Sequence, residues 1–267
     1  LECAQYVDPV SRGQALLMRY PVVLLDVGET LIGPRDSFGA VYARVLGALG
    51  MELTAERLER HMRVVWDEME RVVPRGSDRY AHYAGGEDEY WFRFAKATIE
   101  SAAGRPVSDR FVGQALESIG RAFRDAEAWT VYADVVPALL ELRDAGVRLG
   151  IVSNWDSRLP RLLEELDLAP FFEAVGVSHL EGVEKPDPDL FHRVLDRMGA
   201  AADQALHVGD LPEADLAGAR AAGVDATLID RRGKLDGSYP AIKDLAPLPS
   251  IARGETERWP VNPARGE

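Results

Sequence analysis

Four side chains that could do chemistry lie at or near the ends of short apolar runs. Asp26, Ser153 and Asp210 each end such a run, and Lys185 follows a glutamate in a proline-rich segment. A carboxylate can act as a nucleophile, and two carboxylates together can hold Mg²⁺, a cation that prefers oxygen ligands. Each residue alone could instead cap a helix or form a turn. Their joint occurrence favours a site, because open parallel sheets bind ligands beyond the carboxyl ends of their strands.

The elements that must position these side chains follow from the hydrophobic pattern. Continuous apolar runs predict strands buried on both faces, and they cover residues 22–26, 147–153, 173–178, 205–210 and 226–230. Helical spacing occupies residues 134–145, 159–166, 189–198 and 213–222. This alternation predicts an α/β fold whose core is a doubly wound parallel (Rossmann-like) sheet.

The alternation is interrupted once, by a block in which apolar residues recur only at helical spacing. Helices are predicted at residues 38–49, 55–73, 88–101 and 109–125. We therefore expect an α/β core at residues 18–33 and 130–252, with an inserted all-helical cap domain at residues 34–129. We expect residues 1–17 to be a non-native or disordered extension and residues 253–267 to be a tail.

The composition argues against several classes of partner. The chain has 267 residues, of which 46% are hydrophobic and 28% charged, as in folded globular proteins. Its net charge of −13 argues against nucleic acid and anionic membranes, because these bind through an excess of Lys and Arg. The single cysteine, Cys3, excludes an intramolecular disulfide and a cysteine metal site. We expect a cytoplasmic protein that acts on a small molecule; the oligomeric state has no signal in the sequence.

Four segments, taken in order, resemble the motifs of the haloacid dehalogenase-like (HAD) hydrolase superfamily. They are DVGETL at residues 26–31, SNWD at 153–156, KPDP at 185–188, and Gly209-Asp210 followed by Asp215. The resemblance extends from about residue 20 to residue 230, and the helical block resembles the family's cap between its first and second motifs. It implies a hydrolase that binds Mg²⁺ and acts on a small phosphorylated substrate.

The resemblance also implies a nucleophile and a metal site. Asp26 would be the nucleophile and would form an aspartyl-phosphate intermediate. Mg²⁺ would bind the carboxylates of Asp26 and Asp210 and the backbone carbonyl of Gly28. Asp215 would be a further ligand or would act through a bound water.

Three further residues are expected to contact the phosphate. Lys185 would supply a point charge shared by the nucleophile and the phosphate, and Ser153 would donate a hydrogen bond from its hydroxyl. Asn154 would add backbone or amide donors. We also expect Thr30, in the first motif, to contact the substrate.

A glycine-containing loop at residues 75–86 is the candidate for recognising the rest of the substrate. It joins two predicted helices of the cap and offers Arg79, His82 and Tyr83 as polar groups. His82 could serve as an acid or base, because an unperturbed histidine has a pKa near neutrality. The alternative is an ordinary solvated loop between helices.

The first motif departs from the family in one position. Typical phosphatases of the family read Asp-x-Asp-x-Thr, and the second Asp is a general acid/base worth about 10²–10⁴ in rate. This chain has Gly28 there. The neighbouring Glu29 is a weak substitute, because adjacent side chains point in different directions.

Three interpretations of Gly28 remain open. The chain is a Mg²⁺-dependent phosphatase that takes its acid from the cap or from water, a catalytically impaired binding protein, or a dehalogenase-type carbon hydrolase whose halide leaves without protonation. Asp210 and Asp215 favour the phosphatase, because the family's dehalogenases work without metal. A phosphatase without the acid should prefer leaving groups of low pKa, such as those of aryl phosphates, acyl phosphates and phosphoanhydrides.

Overall fold

The computed structural model describes residues 18–124, 126–235 and 237–256. Its strands in chain order are β1 (Val22–Leu25), β2 (Ile32–Pro34), β3 (Trp129–Val131), β4 (Arg148–Ser153), β5 (Ala174–Val177), β6 (Ala205–Gly209), β7 (Asp225–Ile229) and β8 (Ala241–Ile242). In the described chain, six of these strands form one parallel sheet in the order β5-β4-β1-β6-β7-β8. The order reverses at β1, which confirms the predicted doubly wound sheet and marks the edge where such sheets bind ligands.

The helices of the described ranges alternate with the core strands and fill the gap between β2 and β3. They are α1 (Phe38–Ala48), α2 (Ala55–Glu70), α3 (Gly86–Ala103), α4 (Asp109–Arg124), α5 (Val135–Asp144), α6 (Leu159–Glu165), α7 (Ser178–Glu181), α8 (Pro188–Met198), α9 (Gly218–Ala221) and α10 (Leu248–Arg253). Local signals explain several ends. Thr54 caps α2 through its side chain, and Asp187 and Gly199 flank α8, the glycine in a left-handed conformation.

The central strand β1 is buried on both faces. Val23 and Leu25 belong to one hydrophobic cluster, which continues into α1–α4, and Val22 and Leu24 belong to a second, which includes Phe191 of α8. Two buried faces explain why this strand is a continuous apolar run instead of an alternating one.

Helices α1–α4, which we call the helical insert, connect to the sheet through the antiparallel pair β2 and β3. Arg231 braces this connection with a nearly buried guanidinium group. It donates to the Thr30 carbonyl at 2.7 and 3.0 Å, pairs with Asp134 at 2.9 Å and lies 4.0 Å from the centre of the Tyr132 ring. Both connections to the insert are therefore held to the end of the sheet.

The predicted extension at residues 1–17 lies outside the described residues, as do residues 257–267 of the predicted tail. None of the helices in the described ranges has the length and apolar character needed to cross a membrane.

Candidate active site

A buried lysine joins two carboxylates at the carboxyl ends of the central strands. The Lys185 ammonium group donates to Asp26 Oδ1 at 2.7 Å, to Asp215 Oδ1 at 2.6 Å and to the Val152 carbonyl at 2.9 Å. Asp26 immediately follows β1, and its N–H donates to the Val208 carbonyl of β6 at 2.9 Å. Asp26 thus lies at a strand end, and Lys185 reaches the same point from the loop between α7 and α8.

Asp215 reaches the cluster from a π-helix that follows β6, at Pro212–Ala217. Its Oδ2 accepts a hydrogen bond from the Leu211 N–H at 2.9 Å, and its Oδ1 lies 2.8 Å from His207 Nε2. A Cβ atom on Gly209 would lie 2.1 Å from the Asp215 Cγ, so only glycine permits this approach.

The carboxylates of Asp26, Asp210 and Asp215 could hold a metal ion. One oxygen from each lies within 4.8 Å of the others. Among the described residues none donates a hydrogen bond to the Asp210 carboxylate. Burial, together with the charges of Asp26 and Asp215, raises the pKa of Asp210 to about 8. Three carboxylates this close together repel one another when they are all ionised. A divalent cation such as Mg²⁺ between them would favour their charged forms.

The electrostatics keep Lys185 charged. Burial disfavours the ammonium ion, but Asp215 and Asp26 outweigh burial and raise the pKa of Lys185. Burial also acts against the Asp215 carboxylate, yet Lys185 and His207 hold the pKa of Asp215 well below its usual range. Burial raises the pKa of Asp26, and Lys185 opposes that rise.

Ser153 and Asn154 lie at the same edge of the sheet, but their side chains make different contacts. The Ser153 hydroxyl is buried and lies close enough to Asp26 to favour the ionised form of that carboxylate. It has no hydrogen-bond partner of regular geometry among the described residues. Asn154 Nδ2 donates to the Lys185 carbonyl at 2.9 Å, and Asn154 Oδ1 accepts from the Lys185 N–H at 2.7 Å. The Asn154 amide therefore holds the backbone of Lys185, whereas the Ser153 hydroxyl has the capacity to bind a ligand.

Gly28 lies against an aromatic side chain. A Cβ atom on Gly28 would lie 3.2 Å from Cζ3 of Trp155, so the indole occupies the direction in which a side chain at this position would begin. Glu29 turns away from this place, because its carboxylate accepts from the Tyr132 hydroxyl at 3.0 Å and pairs with Arg232 at 2.5 Å. The Thr30 hydroxyl is buried and has no partner in the described part of the chain.

The structure brings one of the three loop residues towards the site. Arg79 lines a cavity of about 1500 Å³ between the helical insert and the strand ends, and the same cavity is lined by Lys185 and Asn154. The Arg79 guanidinium is buried and already paired with Glu184 at 2.8 Å and with Glu70 at 2.6 Å. It therefore ties the insert to the core.

The expected substrate contacts of His82 and Tyr83 are not supported by their positions. His82 is exposed and its Nε2 lies 3.0 Å from the Ser77 hydroxyl, while Tyr83 packs its ring 5.5 Å from Tyr90. Neither residue lines the cavity. The loop turns through a short 3₁₀ helix at Arg79–His82, so its polar side chains point in different directions.

Two residues that have no predicted role, His207 and Trp155, lie at the site in the structure. His207 Nε2 lies 2.8 Å from Asp215 Oδ1, and His207 Nδ1 has no partner among the described residues. Trp155 lies inside the second motif and reaches the backbone of the first. The signal available for Trp155 was a bulky aromatic residue beside Asn154 in a chain that has glycine at position 28.

Comparison with known proteins agrees with this geometry. The family model for haloacid dehalogenase-like hydrolases matches residues 20–223. "Haloacid dehalogenase-like hydrolase domain-containing protein 3" of Homo sapiens is 31% identical over 232 residues, covering 85% of this chain and 89% of the relative. "Phosphoserine phosphatase" of Thermus thermophilus is 30% identical over 224 residues, covering 79% and 88%.

A solved structure shares the fold. The Bacillus subtilis HAD-hydrolase YfnB, solved bound to magnesium, superposes with a TM-score of 0.66 at 22% identity, over 88% of this chain and 99% of that one. Together with the family match over most of the chain, the four motifs at the ends of the parallel strands lead to one conclusion. The chain belongs to the haloacid dehalogenase-like hydrolase family.

Proposed function

We propose that the chain is a Mg²⁺-dependent phosphatase that acts on a small phosphorylated metabolite through an aspartyl-phosphate intermediate at Asp26. The observation that carries the proposal is the position of Lys185, whose ammonium group bridges Asp26 and Asp215 beside a third carboxylate, Asp210. Phosphatases among the relatives, such as the Thermus thermophilus protein, support the class of reaction.

The charges of the cluster explain why a metal ion is needed. Three carboxylates and one ammonium group leave the ionised site with an excess of negative charge, which would repel a phosphate. Asp26, Asp210 and the Gly28 carbonyl would hold Mg²⁺, with Asp215 as a further ligand or acting through water. Bound Mg²⁺ would supply the positive charge that offsets the carboxylates and the transferring phosphoryl group.

The described side chains divide the work of phosphoryl transfer. An oxygen of Asp26 forms a bond to phosphorus as the bond to the leaving oxygen breaks. Lys185 and the hydroxyl of Ser153 stabilise charge on the phosphoryl oxygens, while Asn154 keeps Lys185 in position. Water then hydrolyses the aspartyl phosphate.

The leaving group departs without help from residue 28. Gly28 has no proton to donate, and Glu29 is engaged by Tyr132 and Arg232. We therefore expect the enzyme to favour leaving groups of low pKa, as in aryl or acyl phosphates. An impaired binding protein or a dehalogenase would share this gap, and these alternatives differ from the phosphatase in what they turn over.

We further propose that residues 34–129 act as a cap that opens and closes over the site, with β2 and β3 as its connections. The large cavity between the insert and the strand ends supports this role. Such a cap would exclude water while the aspartyl phosphate forms.

Hydrolysis of p-nitrophenyl phosphate with and without Mg²⁺ tests the proposal. We expect metal-dependent turnover in the wild type and none in Asp26→Asn. Asp196→Asn, an exposed substitution on α8, is the matched control and should retain full activity. Turnover of 2-haloacids without metal would instead favour the dehalogenase, and metal binding without any turnover would favour the impaired binding protein.

A further inference from the structure

An aromatic wall runs from the reaction centre into the cavity. It begins at Trp155, whose indole lies over Gly28. Trp155 packs against Trp129 at a tilted angle with 5.3 Å between ring centres, and Trp129 lies 6.1 Å from Phe123 and 6.4 Å from Phe38. All four rings line the cavity of about 1500 Å³. Lys185, which is hydrogen-bonded to Asp26, lines the same cavity, so a molecule bound at these two residues would extend along the aromatic rings.

The start of this wall is held in place by the core. The backbone N–H of Trp155 donates to the hydroxyl of Ser178 at 3.1 Å, and the same hydroxyl donates to the backbone carbonyl of Trp155 at 3.2 Å. Ser178 is buried, and Asn154, next to Trp155, holds Lys185. The backbone that carries the indole thus belongs to the same loop that positions the lysine. A recognition surface built in this way keeps a fixed position relative to the catalytic groups.

Two acidic side chains that line the cavity, Asp156 and Glu184, are paired with arginines. Asp156 pairs with Arg158 at 2.5 Å, and Glu184 pairs with Arg79 at 2.8 Å. Guanidinium groups thus engage both carboxylates, and the part of the cavity next to Trp155 offers a leaving group the surface of aromatic rings.

We propose that the substrate is an aryl phosphate, a phosphate monoester whose apolar aromatic body packs on Trp155 and extends towards Trp129. This inference rests on the proposed function, because it takes the phosphate to be bound at Asp26 and Lys185. In the reaction, the bond between an Asp26 oxygen and phosphorus forms, the bond from phosphorus to the aryl oxygen breaks, and its electron pair leaves on a phenolate. A phenolate needs no proton to depart, which matches the glycine at position 28.

Binding of two phosphonates to the Mg²⁺-loaded protein tests the inference without turnover. Phenylphosphonate and methylphosphonate share the phosphoryl group and differ in the aromatic body. Isothermal titration calorimetry should give an affinity about tenfold or more higher for phenylphosphonate, because a phenyl-sized group is transferred from water to an apolar surface. Equal affinities, or no binding of either compound, would overturn the inference.

Variants of Trp155 locate the selectivity. Trp155→Ala should weaken phenylphosphonate binding about fivefold and leave methylphosphonate binding unchanged, while Trp155→Phe should keep most of the difference. Tyr239→Ala removes an exposed aromatic ring outside the cavity and should change neither affinity. An equal loss for both phosphonates in Trp155→Ala would contradict a role in recognising the aromatic body.

A separate assay distinguishes failure of the inference from failure of the proposed function. Acetyl phosphate has a good leaving group and no aromatic body, so Mg²⁺-dependent hydrolysis of acetyl phosphate tests the phosphatase alone. Turnover of acetyl phosphate with equal phosphonate affinities would overturn only the aryl preference. Selective binding of phenylphosphonate with no turnover of any phosphate would support the aromatic recognition and contradict the phosphatase.

Discussion

Lys185 supplies the positive charge of the buried cluster. Its ammonium group is hydrogen-bonded to Asp26, to Asp215 and to a carbonyl, and its side chain is nearly inaccessible to water. Both carboxylates accept a hydrogen bond from the same nitrogen. Because Lys185 is buried, water does not replace it as their donor. The stability of the site therefore depends on this residue before any substrate binds.

Replacing this lysine should destabilise the metal-free protein strongly. We expect Lys185→Met to lower the free energy of unfolding by about 3–5 kcal/mol, because it leaves buried carboxylates without their partner. Urea unfolding at neutral pH measures the change. Lys243→Met, at an exposed position, is the control and should differ from the wild type by less than about 0.5 kcal/mol. If Lys185→Met lost no more stability than Lys243→Met, the result would contradict the charge balance assigned to the cluster.

Restoring the missing carboxylate should require room. We expect Gly28→Asp alone to gain no activity on alkyl phosphates, because its Cβ would lie 3.2 Å from the Trp155 ring. The double variant Gly28→Asp/Trp155→Ala should hydrolyse an alkyl phosphate about 10²-fold faster than Trp155→Ala, the gain expected of a general acid. Steady-state kinetics on glycerol phosphate gives the comparison. Activity of Gly28→Asp alone on glycerol phosphate would contradict the prediction that the Trp155 ring blocks the added side chain.

At this scale the sequence predicted residues whose position follows from a strand end. Asp26, Ser153 and Asp210 each come directly after or at the end of a buried strand, and parallel strands carry them to one edge. The prediction for His82 and Tyr83 rests on the polarity of a loop, and polarity does not determine where a loop side chain points. The approach of Trp155 to Gly28 depends on packing between two distant loops, which no local pattern encodes.

Among the elements, the loop before α3 fastens the helical insert to the loop that carries Lys185. The Glu184 N–H donates to the Gly76 carbonyl at 3.0 Å, and Ser77 forms an isolated bridge with Val183. Arg79 adds a buried ion pair with Glu184. The insert and the loop that carries Lys185 are therefore coupled through backbone and side-chain contacts at one place.

Breaking this ion pair should cost more than breaking a surface pair. We expect Arg79→Met to reduce the free energy of unfolding by about 3–5 kcal/mol, because Glu184 is left buried and unpaired. Arg44→Met removes a pair with Asp36 in which both side chains are exposed, and should cost at most about 1 kcal/mol. Chemical denaturation of both variants makes the comparison. Similar losses for the two would show that the Arg79 pair contributes nothing beyond a surface contact.

Element type was predictable where the hydrophobic pattern was long. The five predicted strands correspond to β1, β4, β5, β6 and β7. Strands β2, β3 and β8 have only two or three residues each, too few for a period to emerge. The predicted helix at residues 213–222 is divided into a π-helix and α9, and Asp215 contacts Lys185 from within the π-helix.

At the scale of the whole molecule, a hydrogen bond connects the start of the described core to strand β7, near the end of the sequence. The hydroxyl of Tyr20, which precedes β1, donates to Asp225 Oδ2 of β7 at 2.8 Å, and both residues are buried. Burial and the neighbouring carboxylate raise the pKa of Tyr20 to about 12. Segments separated by about two hundred residues are thus linked through one titratable group.

The stability of the fold should therefore fall at high pH. The pKa of Tyr20 is higher in the folded state than its ordinary value, so its contribution is complete below about pH 10 and is lost as the pH rises through about 12. We expect this tyrosine alone to account for a decrease of about 2 kcal/mol in the free energy of unfolding. Tyr20→Phe should be less stable at pH 9 but should lose less stability between pH 9 and 12. Parallel pH profiles of the two proteins would contradict this assignment.

The most direct test of the phosphatase mechanism is to trap the phosphorylated enzyme. The Mg²⁺-loaded protein is mixed with p-nitrophenyl phosphate, quenched in acid during turnover, digested and examined by peptide mass spectrometry. We predict a phosphoryl group on Asp26, absent from Asp26→Asn and from the wild type without Mg²⁺. Steady turnover with the phosphoryl group on another residue, or with none on Asp26 at any quench time, would contradict the role of Asp26 as nucleophile.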